Sequence, residues 1–333
     1  MPKVAEQIAH PEFLALSDRF AQRINAIKGI RIRNDRTLEL IQRLHLFKDT
    51  ASGTGDSAGG ALTAPTRAGK TTVIQEFLAD FPSIRHGEID HSPVIYCETP
   101  SNANTVSLGA KLLAALGDIN PERGTAAAKQ RRVVEALRER NTKLLIIDEV
   151  QRLVAKDQGK VAHAVADWIQ ELLNEVSSTC GIILVGTTRA RRIFIRNGHL
   201  IGRNVPALEM KPYATKNDDS TDWKRYRSYL MTFDTELKRV GGFEISHLHE
   251  EDMASRIHAA ARGYPGATAR LIHITSEAAM RLGDQPTLSR ELFAHSFDEM
   301  WKFSDAKVVN PFMTPKPPAV EVVWTKDWET SFD

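Results

Sequence analysis

The chain has 333 residues, 42% hydrophobic and 26% charged, enough to bury a sizeable core in one large or two modest domains. Its 44 basic and 42 acidic side chains nearly cancel, so the whole-molecule field neither points to a nucleic-acid partner nor excludes one, and any such contact must come from a local patch. Two cysteines, Cys97 and Cys180, exclude a disulfide framework, lack metal-ligand spacing and suit burial in a reducing compartment.

No apolar run approaches the ~18 residues of a membrane span, and the first residues lack a signal-peptide apolar region, so the expectation is a cytoplasmic protein with no membrane partner. Residues 11–48 read as two helices: Phe13, Leu16, Phe20, Ile24 and Ile27 recur at helical spacing, then Leu38, Ile41, Leu44 and Leu46 follow Asn34 and Asp35. A Gly- and Ser-rich loop over 50–60 hands over to a short strand at 61–63. The pattern then alternates: a helix over 70–81, a strand at 94–97, helices near 107–116 and 126–140, a strand at 144–147, a helix over 161–177 and a strand at 181–185. Unbroken apolar runs separated by helices predict a parallel sheet covered on both faces, an α/β core.

After a last strand around 205–210 the pattern becomes helical. Trp223, Tyr226, Leu230, Phe233 and Leu237 form a stripe, either a buried face or, with Lys224, Arg225 and Arg227 beside it, a base-stacking platform. A helix over 290–303 precedes a Pro-rich segment with Pro311, Pro315, Pro317 and Pro318, read as an extended arm. The expected divisions are N-terminal helices (1–50), an α/β nucleotide-binding domain (51–215), a helical lid (216–283) and a C-terminal helix with its tail (284–333).

Chemistry concentrates at three strand ends. Ala64, Pro65, Thr66, Arg67, Ala68, Gly69, Lys70 and Thr71 match G-x-x-x-x-G-K-[ST] except that Ala64 replaces the first glycine. Such a loop curls backbone N–H groups around phosphates, its lysine reaches the terminal phosphate, and the hydroxyl of Thr71 holds magnesium. With Thr72 the segment opens a helix whose N-terminal dipole favours anions. Asp148 and Glu149 end a buried strand: Asp148 would share the metal with Thr71, and Glu149 would take the proton of the attacking water. Two acids can also simply mark an exposed strand end. A third strand ends in Thr187 and Thr188, whose hydroxyls suit either a helix cap or a place between the acids and the terminal phosphate.

This ordered set resembles the AAA+ ATPases and, within them, the TniB family of transposition ATPases, relatives of TnsC. The residues that carry the likeness are the Lys70 loop, Asp148 to Leu153, Leu184 to Thr187, and Gly263 to Ile272. The resemblance implies an AAA+ P-loop core with a parallel sheet flanked by helices plus a small helical lid, and ATP with Mg2+ as cofactors. It further implies that Thr187 or Thr188 is sensor 1 and that Arg203 is the arginine finger, with Arg189, Arg191, Arg192 and Arg196 competing. Arg270 is implied as sensor 2. Family membership implies a homo-oligomeric ring or helical filament on double-stranded target DNA that recruits or activates a DDE transposase and works with a target-selection protein. Candidate DNA contacts are Asn102, Asn104, Thr105 and Lys111, with Lys129, Arg131 and Arg132 on a later helix. The alternatives are an AAA+ adaptor or signalling ATPase acting on protein partners without DNA, a helicase-loader-like ATPase, and a small-molecule P-loop kinase, which would need no lid arginine.

Overall fold

The computed structural model describes residues 11–51, 59–82, 84–86, 89–101, 103–153, 159–190, 207–283, 286–302 and 308–323. In chain order the elements are α1 (Pro11–Lys28), α2 (Asp35–Thr50), β1 (Gly59–Thr63), α3 (Lys70–Ala79), β2 (Ile84–His86), β3 (Ile89–His91), β4 (Val94–Glu98), α4 (Thr105–Ala115) and α5 (Ala126–Glu139). There follow β5 (Leu144–Asp148), a 3-10 turn (Val150–Leu153), α6 (Gly159–Val176), β6 (Gly181–Gly186), a second 3-10 turn (Thr188–Ala190) and β7 (Ala207–Glu209). Helices α7 (Ser220–Gly241), α8 (Glu251–Ala261), α9 (Pro265–Met280), α10 (Arg290–Trp301) and the single turn α11 (Val320–Val323) complete it. No described helix is long and apolar enough to cross a membrane.

The chain forms two compact units, Asp35–Lys211 and Met1–Asn34 with Pro212–Asp333. The two N-terminal helices part company: α1 packs on α7 and α9, whereas α2 packs on α3.

In the α/β unit, β4, β5, β6, β1 and β7 lie in that order, every pairing parallel. Strands β1, β5 and β6 are buried at every position because helices cover both faces; β5 and β6 therefore read as continuous apolar runs, whereas β1 starts at Gly59 and Gly60, which the sequence had placed in the preceding loop. Alternation of side chains along a strand sends Leu145, Ile147, Ile182 and Leu184 into one core, where Leu108 and Leu112 of α4, Val133 and Leu137 of α5, and Trp168 and Ile169 of α6 meet them. Gly181 faces the opposite way, and a Cβ there would lie 2.6 Å from that of Ala51 and 3.0 Å from the Phe47 ring. An antiparallel hairpin, β2 with β3, was not expected; its three-residue strands carry Arg85, His86, Asp90 and His91 and show no apolar period.

The helical unit is organised by α7, capped at its start by Asp219, whose Oδ1 accepts from Thr221 N and Asp222 N, and closed by left-handed Gly242. Trp223, Tyr226, Leu230, Phe233 and Leu237 are all buried, so the aromatic stripe is core and not a stacking surface. The tyrosine hydroxyls are satisfied, Tyr226 sharing a hydrogen bond with Thr268 and Tyr229 donating to Pro265 O, whereas the buried Trp223 Nε1 has no hydrogen-bond partner among the described residues. The Pro-rich segment, expected as an extended arm, is a docked strap over the described residues 308–323. Phe312 stacks on Phe293 at 5.2 Å, and Arg256, 1% exposed, donates to Pro311 O and Thr314 O while pairing with Asp252. Arg290 donates to Phe312 O and Thr314 O. A proline-rich strap has few N–H donors of its own to meet its carbonyls, and two guanidinium forks take up those of Pro311, Phe312 and Thr314.

Two outcomes follow from this packing. Gly181→Val should lower the unfolding free energy by ~1–3 kcal/mol in urea titrations, through overpacking against Ala51 and Phe47; unchanged stability would mean that α2 yields. Burial pushes the His273 imidazole down to about 4, with Arg31 and Lys28 acting in the same direction. The unfolded chain takes up that proton near ~6.5, so this contribution is present above that pH and is lost as pH falls toward the folded value. Thermal melts should therefore fall less steeply with acid in His273→Phe than in the wild type, and parallel curves would remove His273 as a source of acid lability.

Candidate functional site

Strand order brings the three chemical strand ends together. Because β6 lies between β1 and β5, Thr63 pairs with Gly186, and Ala64 N donates to Gly186 O at 3.2 Å. Glu98 and Asp148 face each other at the same C-terminal edge. Ligands of open parallel sheets sit at that edge.

The loop leaves β1 at Ala64, which is fully buried and lies outside the described non-glycine residues with positive φ. Alanine in place of the first glycine therefore costs the backbone nothing here. Thr66 and Arg67 are exposed, and Arg67 (φ 66°) and Gly69 (φ 114°, ψ 12°) make the left-handed bends that deliver the chain into α3. No side chain caps α3, which leaves the first amides of Lys70, Thr71 and Thr72 outside its internal hydrogen-bond ladder and available to an anion. Thr71 is exposed and Thr72 half-buried.

The Lys70 side chain turns back under its own loop, where its Nζ donates to Ala64 O at 2.9 Å and Pro65 O at 3.0 Å. Burial lowers its pKa, and the charges of Asp148 and Glu149 oppose that shift. Asp148 is buried at the end of β5; desolvation raises its pKa, opposed by hydrogen bonds from Glu149 N at 2.7 Å and the Tyr96 hydroxyl at 3.1 Å and by Lys70. Tyr96 is in turn pushed well up by burial and by Asp148.

Glu149 has a left-handed φ of 58°, and its Oε2 accepts from Gln151 Nε2 at 2.6 Å. The neighbouring Arg152 donates to Thr99 O and to Glu98 Oε1. Of the two threonines after β6, Thr188 begins a 3-10 turn, while Thr187 N donates to Gln151 Oε1 at 3.1 Å and the Thr187 hydroxyl is buried with no partner among the described residues.

Loop, lysine, both acids and Thr187 thus share one edge. Arg270 is exposed on α9 of the helical unit. Arg203, with Arg191, Arg192, Arg196, Asn102 and the side chain of Arg189, lies outside the described residues. Among the DNA candidates, Asn104 caps α4 through a reciprocal pair with Ser107, Thr105 is half-buried in the first turn, and Lys111 and Arg131 are exposed. Lys129 and Arg132 are not surface cations free for phosphate: Lys129 is buried with its ammonium on Pro121 O, and Arg132 is tied to Asp118, Asn120 O and Arg123 O. Tyr96, Glu98, Gln151 and Arg152 also belong to the site, though the sequence assigned them no role. The position of Glu98 at a strand end and of Gln151 and Arg152 directly after the acids was the available signal.

Tyr96→Phe removes the hydroxyl that donates to Asp148 and should cost ~1–3 kcal/mol of unfolding free energy at neutral pH in denaturant titrations. A stability equal to that of the wild type would contradict the hydrogen bond.

Comparison with known proteins bears on the family and the fold. The model of the family described as bacterial TniB protein matches residues 23–208. A search of curated proteins finds no match. Among solved structures the chain is similar to Cdc6p from Pyrobaculum aerophilum, at 15% identity and a TM-score of 0.57, covering 83% of this chain and 70% of that one. It is also similar to the ORC2 protein of Aeropyrum pernix in its ADP form, at 16% identity and a TM-score of 0.54, covering 81% and 69%. The ORC1 protein of Aeropyrum pernix in complex with DNA matches at 16% identity and a TM-score of 0.53, covering 81% and 66%. At these identities the likeness is one of fold, an AAA+ α/β core with a parallel sheet flanked by helices and a helical lid. With the family model spanning more than half of its residues, this chain belongs to the bacterial TniB family of AAA+ proteins.

Proposed function

We propose that the chain binds ATP with Mg2+ at the C-terminal edge of its sheet, hydrolyses it, and uses the nucleotide state to assemble on double-stranded target DNA and recruit or activate a DDE transposase. The observation that carries the nucleotide part is the buried Lys70 ammonium, held by two loop carbonyls and faced by two carboxylates.

The donor set suits magnesium–ATP. Free amides at the start of α3 and the Lys70 ammonium favour phosphate oxygens, while the Thr71 hydroxyl and the buried Asp148 carboxylate are the hard oxygen ligands that magnesium prefers. Bound, the nucleotide would supply the electrophilic terminal phosphoryl group, with the metal neutralising its charge. Ala64, Pro65, Thr66, Arg67, Ala68, Gly69 and Thr72 shape the cradle. Glu149 accepts the proton of the attacking water, and the unpartnered Thr187 hydroxyl orients that water or the phosphate. Arg203 acts as the finger in a neighbouring copy, and Arg270 as the lid arginine, in this reading.

The DNA part rests on membership of the TniB family and on the likeness to an ORC1 protein whose solved form contains DNA. Exposed Lys111 and Arg131, with Thr105, are the contacts that remain after Asn104 is given to capping. Partners of this class are a DDE transposase, a target-selection protein and further copies of the chain in a ring or filament.

Lys70→Ala should abolish binding of a fluorescent ATP analogue, and Glu149→Gln should keep binding while stopping phosphate release; an unchanged affinity in the first or normal turnover in the second would overturn the site. Duplex DNA should be shifted only with ATP present and progressively less as salt rises. A chain that binds ATP but never shifts DNA would instead act on protein partners alone.

A further inference from the structure

Glu149 has no regular element to fix its side chain. It stands between the end of β5 and the turn Val150–Leu153, in a left-handed conformation that is strained for a non-glycine residue. Its backbone N–H is used by Asp148, so the direction of its carboxylate depends on what meets it from outside.

Two side chains do. Arg152 is committed elsewhere, to Thr99 O at 2.5 Å and Glu98 Oε1 at 2.7 Å, and its Nε stays 3.9 Å from Glu149 Oε2, beyond hydrogen-bond length. Gln151 makes the short contact, Nε2 to Glu149 Oε2 at 2.6 Å, and its other end accepts from Thr187 N at 3.1 Å. One amide therefore ties the carboxylate to the end of β6. The close approach needs Gly186, where a Cβ would meet Gln151 Oε1 at 2.8 Å, Ala190 Cβ at 2.8 Å and Val150 Cγ2 at 2.9 Å.

We propose that Gln151 is the positioning residue of Glu149, setting the direction of its carboxylate from the place where β6 ends. The inference rests on the ATPase reading above. Glutamine suits the task because its head group donates at one end and accepts at the other. Glutamate at 151 would still accept from Thr187 N but would present a like charge to Glu149, and methionine would fill the same space while making neither bond. The two substitutions thus separate aiming of the carboxylate from mere support of the β6 end. Through these two bonds Gln151 joins Glu149 to Thr187, whose hydroxyl is unpartnered among the described residues at the same edge.

The full chain, Glu149→Gln, Gln151→Met and Gln151→Glu should be compared for kcat and KM with magnesium–ATP, for affinity toward a fluorescent ATP analogue, and for Tm. Gln151→Met should lose about 10- to 100-fold in kcat, the scale expected for a misplaced catalytic group, while KM, nucleotide affinity and Tm stay near wild type. Gln151→Glu should lose at least as much. A Gln151→Glu enzyme with wild-type kcat would show that only the bond to Thr187 matters, and a faster Gln151→Met enzyme would show a restraint; either overturns the proposal. So does a joint fall of Tm and nucleotide affinity in both variants, which marks a scaffold residue. A wild-type chain that binds ATP without Glu149-dependent turnover removes the base and the proposal with it, whereas one that does not bind ATP overturns the underlying reading itself.

Discussion

An ammonium group taken out of water costs several kcal/mol unless its charge and its protons are met, and Lys70 raises that demand at the C-terminal edge of the sheet. Its protons go to the carbonyls of Ala64 and Pro65, which ties the charge to the point where β1 becomes loop. Its charge is faced by Asp148 and Glu149, and Asp148 is itself buried and dependent on that cation. Loop, strand end and acids therefore form one electrostatic unit. An anion arriving at the start of α3 would enter a field in which the cation is already in place and the acids behind it can hold a metal.

Placing β6 between β1 and β5 is what lets a local loop and a distant acidic strand behave this way. Gly186 marks the closest approach: it accepts from Ala64 on one side and leaves space for Gln151 on the other. Tyr96 and Glu98 extend the same edge on β4, one donating to Asp148 and the other held by Arg152. The geometry belongs to the sheet rather than to any single motif.

Much of this was legible from residues alone. Leu144 to Ile147 and Gly181 to Val185 read as strands because burial on both faces leaves no polar phase, and the Gly69, Lys70 and Thr71 triplet is recognisable because phosphate chemistry admits few substitutes. What stayed hidden depends on partners remote in sequence. Nothing in Pro311 to Pro318 announces that Arg256 and Arg290 take up carbonyls of its first residues, since proline content reports missing donors and not the destination of acceptors. Helix α1 packs on helices some two hundred residues later, a contact that periodicity cannot assign. Asn104 and Lys129 show another limit: capping and buried hydrogen bonding use the same side chains as phosphate binding, and spacing does not tell these uses apart. Gln151 looked ordinary because its meaning lies in reaching Glu149 and Thr187 at once.

The central claim is that Lys70 is a phosphate ligand whose charge is stored against its own loop. The most direct measurement is an electron-microscopy or crystal structure of the chain with magnesium and a non-hydrolysable ATP analogue. The terminal phosphates should lie over the loop from Ala64 to Thr71, with Lys70 Nζ moved from Ala64 O and Pro65 O onto a phosphate oxygen and the metal beside Thr71 and Asp148. Nucleotide bound elsewhere, or a Lys70 that keeps both carbonyls with nucleotide present, would contradict it.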